Sequence, residues 1–188
     1  MYPFKKSDII ILTNSSYEAA KEKANMLKLV KLFNNQYLGF WILGLLLFLI
    51  QEIPYLVMPL FKLETNPIMN MPESSVYLNV CEKVLGSICI AAMTLIVHKD
   101  AKVFSVKSEK ELLFFCIAIG ILLLNFAGWL LYFTGHQSIT IIMLFIVALP
   151  PLYYVFIGLW RSNVILTVTG CIFLIVHFVH TLGNLKMS

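Results

Sequence analysis

At 188 residues, 60% hydrophobic, 13% charged and with a mean hydropathy of +0.86, the chain is too apolar for a soluble globular domain, whose apolar share runs at roughly 45–50%. Its formal charge of +4 does not point to nucleic acid, because the lysines gather in segments flanking apolar runs, where the positive-inside tendency accounts for them. Cys81, Cys89, Cys116 and Cys171 all fall inside apolar runs with no CxxC spacing, so they read as small hydrophobes rather than metal ligands.

The expected class is all-α: a multi-pass protein of a cell membrane, built as a single bundle of about five transmembrane helices of about 20 residues each. Residues 1–37 form a basic segment with six lysines against Asp8, Glu18 and Glu22. From Ser16 to Phe33 the apolar residues Ala20, Ala24, Leu27 and Val30 recur in steps of three and four, which predicts an amphipathic helix lying at the interface. Lys5 and Lys6 precede only four apolar residues, Ile9 to Leu12, too short a core for a cleavable signal peptide. The first span is expected to direct insertion.

Residues 38–188 form the transmembrane domain, with spans predicted at 38–60, 76–97, 112–133, 139–160 and 164–182. Ser108-Glu109-Lys110-Glu111 resembles a capping box opening the third span. Thr134-Gly135-His136-Gln137-Ser138 is short enough to make spans three and four an antiparallel hairpin. The N-terminal segment, the loop after span two (Lys99, Lys102, Lys107, Lys110) and Arg161 after span four carry the positive charge, whereas the alternate loops hold Lys62. This predicts a cytoplasmic N-terminus and an outer C-terminus.

Polar residues inside these spans are the candidate site. Gln51-Glu52-Ile53-Pro54 interrupts the first span, and a carboxylate there costs roughly 2.5–3.5 kcal/mol unless it faces protein or water. At 1.5 Å per residue Glu52 lies about 21 Å along its span, Asn125 and His177 about 20 Å along theirs, and Glu82 about 9 Å below the outer start of span two. Asn79, Glu82, Lys83 and Gly86 share one face of span two. Asn125, Gly128, Trp129, Tyr132 and His136 run up span three, and His177, His180 and Asn184 up span five. Pro54 deprives the Ile50 carbonyl of its helical donor, and Pro150 and Pro151 do the same for Ile146 and Val147, which polar neighbours or water would satisfy.

The expected ligand-binding set is therefore Gln51, Glu52, Tyr55, Asn79, Glu82, Lys83, Asn125, Trp129, Tyr132, His177, His180 and Asn184, around an outward-facing polar cavity. Trp41, Tyr153 and Tyr154 are further aromatic candidates for its wall. The function expected is binding of a small or amphipathic ligand, or of a proton, in transport, sensing or immunity. Lys83 is the candidate counter-ion for Glu52 or Glu82. Beyond the bilayer, the partners allowed are a lipid-like or small-molecule ligand, a second copy of the chain or a membrane partner subunit, and no nucleic acid.

An intramembrane metal-dependent hydrolase is the alternative, since His177 and His180 stand three apart on one helix. HExxH is absent and no aspartate lies near that depth, so neither a metal nor another cofactor is expected; a metal, if present, would use those two histidines. His180-Thr181-Leu182-Gly183-Asn184 resembles the HxxxN element of CAAX-type intramembrane proteases. That family's EExxxR motif has no counterpart, because Glu52 and Glu82 stand alone and Arg161 is the chain's one arginine. The five-residue resemblance does not bring the protease function with it. A structural subunit of a larger membrane complex is the second alternative.

Overall fold

The computed structural model describes residues 27–33, 35–61, 63, 65–99 and 102–187. The protein is mostly helical, at 71%, with five helices long and apolar enough to cross a membrane: α1 (Ile42–Leu60, closing in a 3₁₀ turn), α2 (Val76–Leu95), α3 (Glu109–Phe133), α4 (Ile139–Trp160) and α5 (Val164–Met187). These features suggest a multi-pass membrane protein. α4 is the central element, with 61% of its apolar window buried against 22–33% for the other four. It packs against α3 and α5, while α2 packs on α5 and α1 on α2.

A small antiparallel sheet closes one end of the bundle and corrects an all-α reading. Strands β1 (Leu27–Lys31), β2 (Gln36–Phe40) and β3 (Ile96–His98) lie in the order β1-β2-β3. The interfacial helix predicted over 16–33 is replaced at Leu27–Lys31 by a strand; its earlier part lies outside the described residues. Asn35, at φ 60°, reverses the chain, a left-handed conformation that asparagine tolerates better than most residues. The hairpin then satisfies backbone groups that a lone strand would leave open. Consequently α1 begins at Ile42 rather than at residue 38, and α2 ends at Leu95 because Ile96 and Val97 pair with β2.

The helix ends are locally specified. Ser75 Oγ accepts from Leu78 N–H and Ser108 Oγ from Glu111 N–H, the N-cap arrangement that fills an otherwise empty donor. Glu111 completes the capping pattern by accepting from Lys107 N–H at 2.7 Å, one residue before the position of a regular capping box. At the other end of α3, Gly135 takes φ 91°, and His136 N–H reaches the Leu131 carbonyl at 2.9 Å, a closure of the Schellman type.

The sheet end is tied together by side chains. Asn163 Nδ2 donates to the carbonyls of Ala92 (2.8 Å) and Ile96 (3.0 Å) while its Oδ1 accepts from Leu166 N–H. Gln36 Nε2 donates to Ser162 O, Trp41 Nε1 to Val103 O and Trp160 Nε1 to Ser105 O. The Arg161 guanidinium lies 4.6 Å from the centre of the Trp41 ring and 5.2 Å from that of Trp160, a cation–π arrangement, and donates to Lys102 O. Burial pushes Arg161 down to about 10 and the Glu111 carboxylate opposes that shift.

In α4, Ile142–Val147 winds as a π-helix before Leu149–Trp160 resumes α-helical form. Pro150 and Pro151 explain the change of register. In the π register a carbonyl looks five residues ahead, as Met143 O does to Ala148 N–H, so Phe145 O would look to Pro150, which has no N–H. Asn125 Nδ2 supplies the missing donor from α3, at 2.7 Å. The carbonyl rescued is thus Phe145, one residue earlier than α-helical counting from Pro150 expects. Gly128 permits the approach, because a Cβ there would run into Phe145.

Candidate functional site

At the end opposite the sheet, α1, α2, α4 and α5 surround two adjoining chambers. The outer one, about 340 Å³, is walled by Tyr55, Asn79, Glu82, His177, His180 and Asn184, with the apolar Ile142, Ile146 and Val147 of the π segment behind them. Ile68, Met71, Pro72 and Glu73 from the α1–α2 loop also line it. That loop is held by Tyr132, whose hydroxyl donates to Asn66 Oδ1 at 2.6 Å and accepts from Ile68 N–H at 3.2 Å. Thr65 and Gln137 add a second tie through Thr65 Oγ1 to Gln137 Oε1 and Gln137 Nε2 to Thr65 O.

One network spans α2 and α5 across the outer chamber. Ser74 N–H donates to Asn184 Oδ1 at 2.8 Å, which turns the Asn184 amide nitrogen toward His180 Nε2 at 3.3 Å. His180 Nε2 is therefore the acceptor, and its proton sits on Nδ1, which donates to Glu82 Oε2 at 2.5 Å. A backbone amide thereby fixes the tautomer of a histidine through one side-chain amide. His177 Nδ1 lies 3.1 Å from Glu82 Oε1 but out of line for a hydrogen bond, leaving that nitrogen buried without a donor or acceptor partner. Glu82 is thus flanked by two imidazoles, one of them bonded.

The inner chamber, about 220 Å³, is lined by Gln51, Glu52, Tyr55, Gly86, Ile90, Pro150, Tyr154, Phe173 and His177. Tyr55 and His177 line both chambers, so the two meet at these residues. Phe173 stacks on the His177 ring at 5.1 Å between centroids. Glu52 makes no hydrogen bond or ion pair among the described residues.

Eight of the expected site residues, Gln51, Glu52, Tyr55, Asn79, Glu82, His177, His180 and Asn184, line one chamber or the other. Four do not. Lys83 is exposed and borders a groove on the outside of α2 with Val84, Ser87, Ile88 and Ala91; it pairs with neither carboxylate, because one residue past Glu82 turns the side chain about 100° around the helix. Asn125 bonds the α4 backbone instead of facing a cavity. Trp129, 1% exposed, packs edge-on against Tyr55 with ring centroids 4.6 Å apart and supports the wall from behind. Tyr132 fastens the loop. The polar layer expected from depth alone therefore divides into two groups, one lining the chambers and one holding the scaffold.

Sequence reasoning missed Thr181 and the aliphatic side chains of the α4 π segment. Thr181 lies four residues after His177 on the same helical stripe, a signal present in the spacing. Ile142, Ile146 and Val147, uniformly apolar among apolar neighbours, carry no such signal. Trp41 and Tyr153 line neither chamber, whereas Tyr154 does. Compared with known proteins, the chain matches no family model, no curated protein and no solved structure.

Proposed function

We propose that this chain is a cell-membrane protein that binds a small or amphipathic ligand, or a proton, in its paired chambers, in the service of transport, sensing or immunity. The observation that carries the reading is the Glu82–His180–Asn184 network on the wall of a cavity of about 340 Å³. A carboxylate, two imidazoles and two amides exceed what helix packing needs, since an interhelical polar contact in a bilayer contributes only about 0.6 kcal/mol on average. Lys31, Lys99, Lys102, Lys107, Lys110 and Arg161 cluster near the sheet end, which supports a cytoplasmic sheet and chambers open to the outside.

The hydrolase alternative has less support. His180 uses one ring nitrogen on Glu82 and the other on Asn184, so a metal would have to displace one of these contacts, and among the described residues no group of three His, Cys, Asp or Glu side chains is arranged to hold an ion. Native mass spectrometry of the detergent-extracted protein tests the proposal. The expected result is a bound small molecule or lipid that a Glu82→Gln/His180→Ala double variant lacks. A stoichiometric metal removed by His177→Ala would favour the hydrolase. No bound species, together with wild-type behaviour of Glu52→Gln/Glu82→Gln in the host, would favour a structural subunit.

A further inference from the structure

The two chambers differ in what their polar groups still need. In the outer chamber Glu82 is already supplied with a donor by His180. The inner chamber instead presents acceptors. Glu52 has no hydrogen-bond or ion-pair partner among the described residues, and Lys83, the counter-ion expected for it, sits on the outer groove of α2. Gln51 is 1% exposed, and its Oε1 is buried with no hydrogen-bond partner. A buried amide oxygen without a donor is uncommon and unfavourable. Here it stands one residue from an unpaired carboxylate, and both line the same space.

Two unfilled acceptors, one charged, call for a cation that carries N–H groups. Tyr154 and Phe173, with ring centroids 6.4 Å apart, line the same chamber with Ile90 and offer apolar surface to the alkyl part of such a ligand. A space of about 220 Å³ has room for a short alkylammonium.

We infer that the inner chamber is a site for a small primary amine in its protonated form, its ammonium donating to Glu52 and to Gln51 Oε1 and its alkyl part lying against Tyr154, Phe173 and Ile90. This inference rests on the binding reading above and names the ligand class of its deeper chamber. The outer chamber, polar and roofed by the α1–α2 loop, adjoins it at Tyr55 and His177.

The test is isothermal titration calorimetry of the full chain in lipid nanodiscs with three probes: butylammonium, tetramethylammonium (charged, no N–H) and butanol (N–H and charge both absent). The expected order is butylammonium tightest, tetramethylammonium weaker and butanol weakest, with Glu52→Gln weakening butylammonium about tenfold or more, as loss of a charged hydrogen-bond partner does. Gln51→Leu weakens it less, and Lys83→Met changes it by no more than about threefold, since that side chain borders the external groove of α2 and lines neither chamber. The probe order in the wild type needs no variant to fold. Butylammonium binding no tighter than butanol, or unchanged by a folded Glu52→Gln, overturns the inference. If native mass spectrometry then still shows a cavity-dependent ligand of another class, the amine assignment alone has failed; if it shows none, the binding reading has failed with it.

Discussion

The two ends of this bundle use polar residues in opposite ways. At the sheet end, Asn163, Gln36, Trp41, Trp160 and Arg161 each place donors on backbone carbonyls, and the polar groups serve to lock helix ends and strands together. At the far end, Glu82, His177, His180, Gln51 and Glu52 surround open volume, where Gln51 Oε1 is buried without a hydrogen-bond partner and Glu52 makes no hydrogen bond or ion pair among the described residues. Inside a bilayer an unmet polar atom is unfavourable, and Gln36 Oε1 at the sheet end is buried without a partner too; what assigns the far end to binding is that its polar groups border cavities of about 340 and 220 Å³, which a ligand can fill.

That contrast is open to direct challenge. Trp41→Ala should be the most damaging change, costing about 3–5 kcal/mol in thermal or denaturant unfolding, as large aromatic truncations in cores do, because Trp41 is 2% exposed and holds Trp160 and Arg161. Its effect on ligand affinity should be nil in the surviving folded fraction. Asn163→Ala should cost about 2–4 kcal/mol, since three hydrogen bonds disappear at one buried position; a loss below half of that would show that the sheet end is not the stabilising region.

Asn125→Leu tests the joint between the two regions. It leaves Phe145 O without its donor and should cost about 1–3 kcal/mol, with the π segment behind the outer chamber loosening as read by hydrogen exchange at Ile142–Val147. Glu82→Gln should change unfolding by no more than about 1 kcal/mol, because a neutral amide still accepts from His180, yet it should remove outer-chamber binding in native mass spectrometry. A stability loss matching that of Asn163→Ala would make Glu82 a structural residue. Lys83→Met should be the mildest, leaving both stability and affinity near wild type, since the side chain borders the outer groove; a lost affinity would return Lys83 to the chambers.

The polar stripe of α5 was legible from spacing, as His177, His180 and Asn184 fall at steps of three and four and do face one cavity. So was the α2 stripe, up to Lys83, where a shared helical quadrant did not mean a shared environment. Depth counting grouped Asn125 with Glu52, whereas Asn125 donates to the Phe145 carbonyl and Glu52 lines the inner chamber, because height along a helix says nothing of which neighbour the side chain meets. The sheet was hidden in an apolar spacing that fits a helix as readily as a strand when the residues are as uniformly apolar as Leu27, Leu29, Val30 and Leu32.

By itself the sequence determined the five apolar lengths, the short connection between α3 and α4, and the presence of two carboxylates within the spans. Each of these is a sum or a spacing over local residues, and hydrophobic transfer depends on just such sums. Tertiary structure alone decided that the region before α1 pairs with the end of α2, that Asn125 answers the carbonyl orphaned by Pro150, and that Glu82 is partnered by His180 while Glu52 is not. Hydrogen bonds are short and directional, so which polar atom finds a partner depends on the positions of distant segments that no local reading of the chain contains.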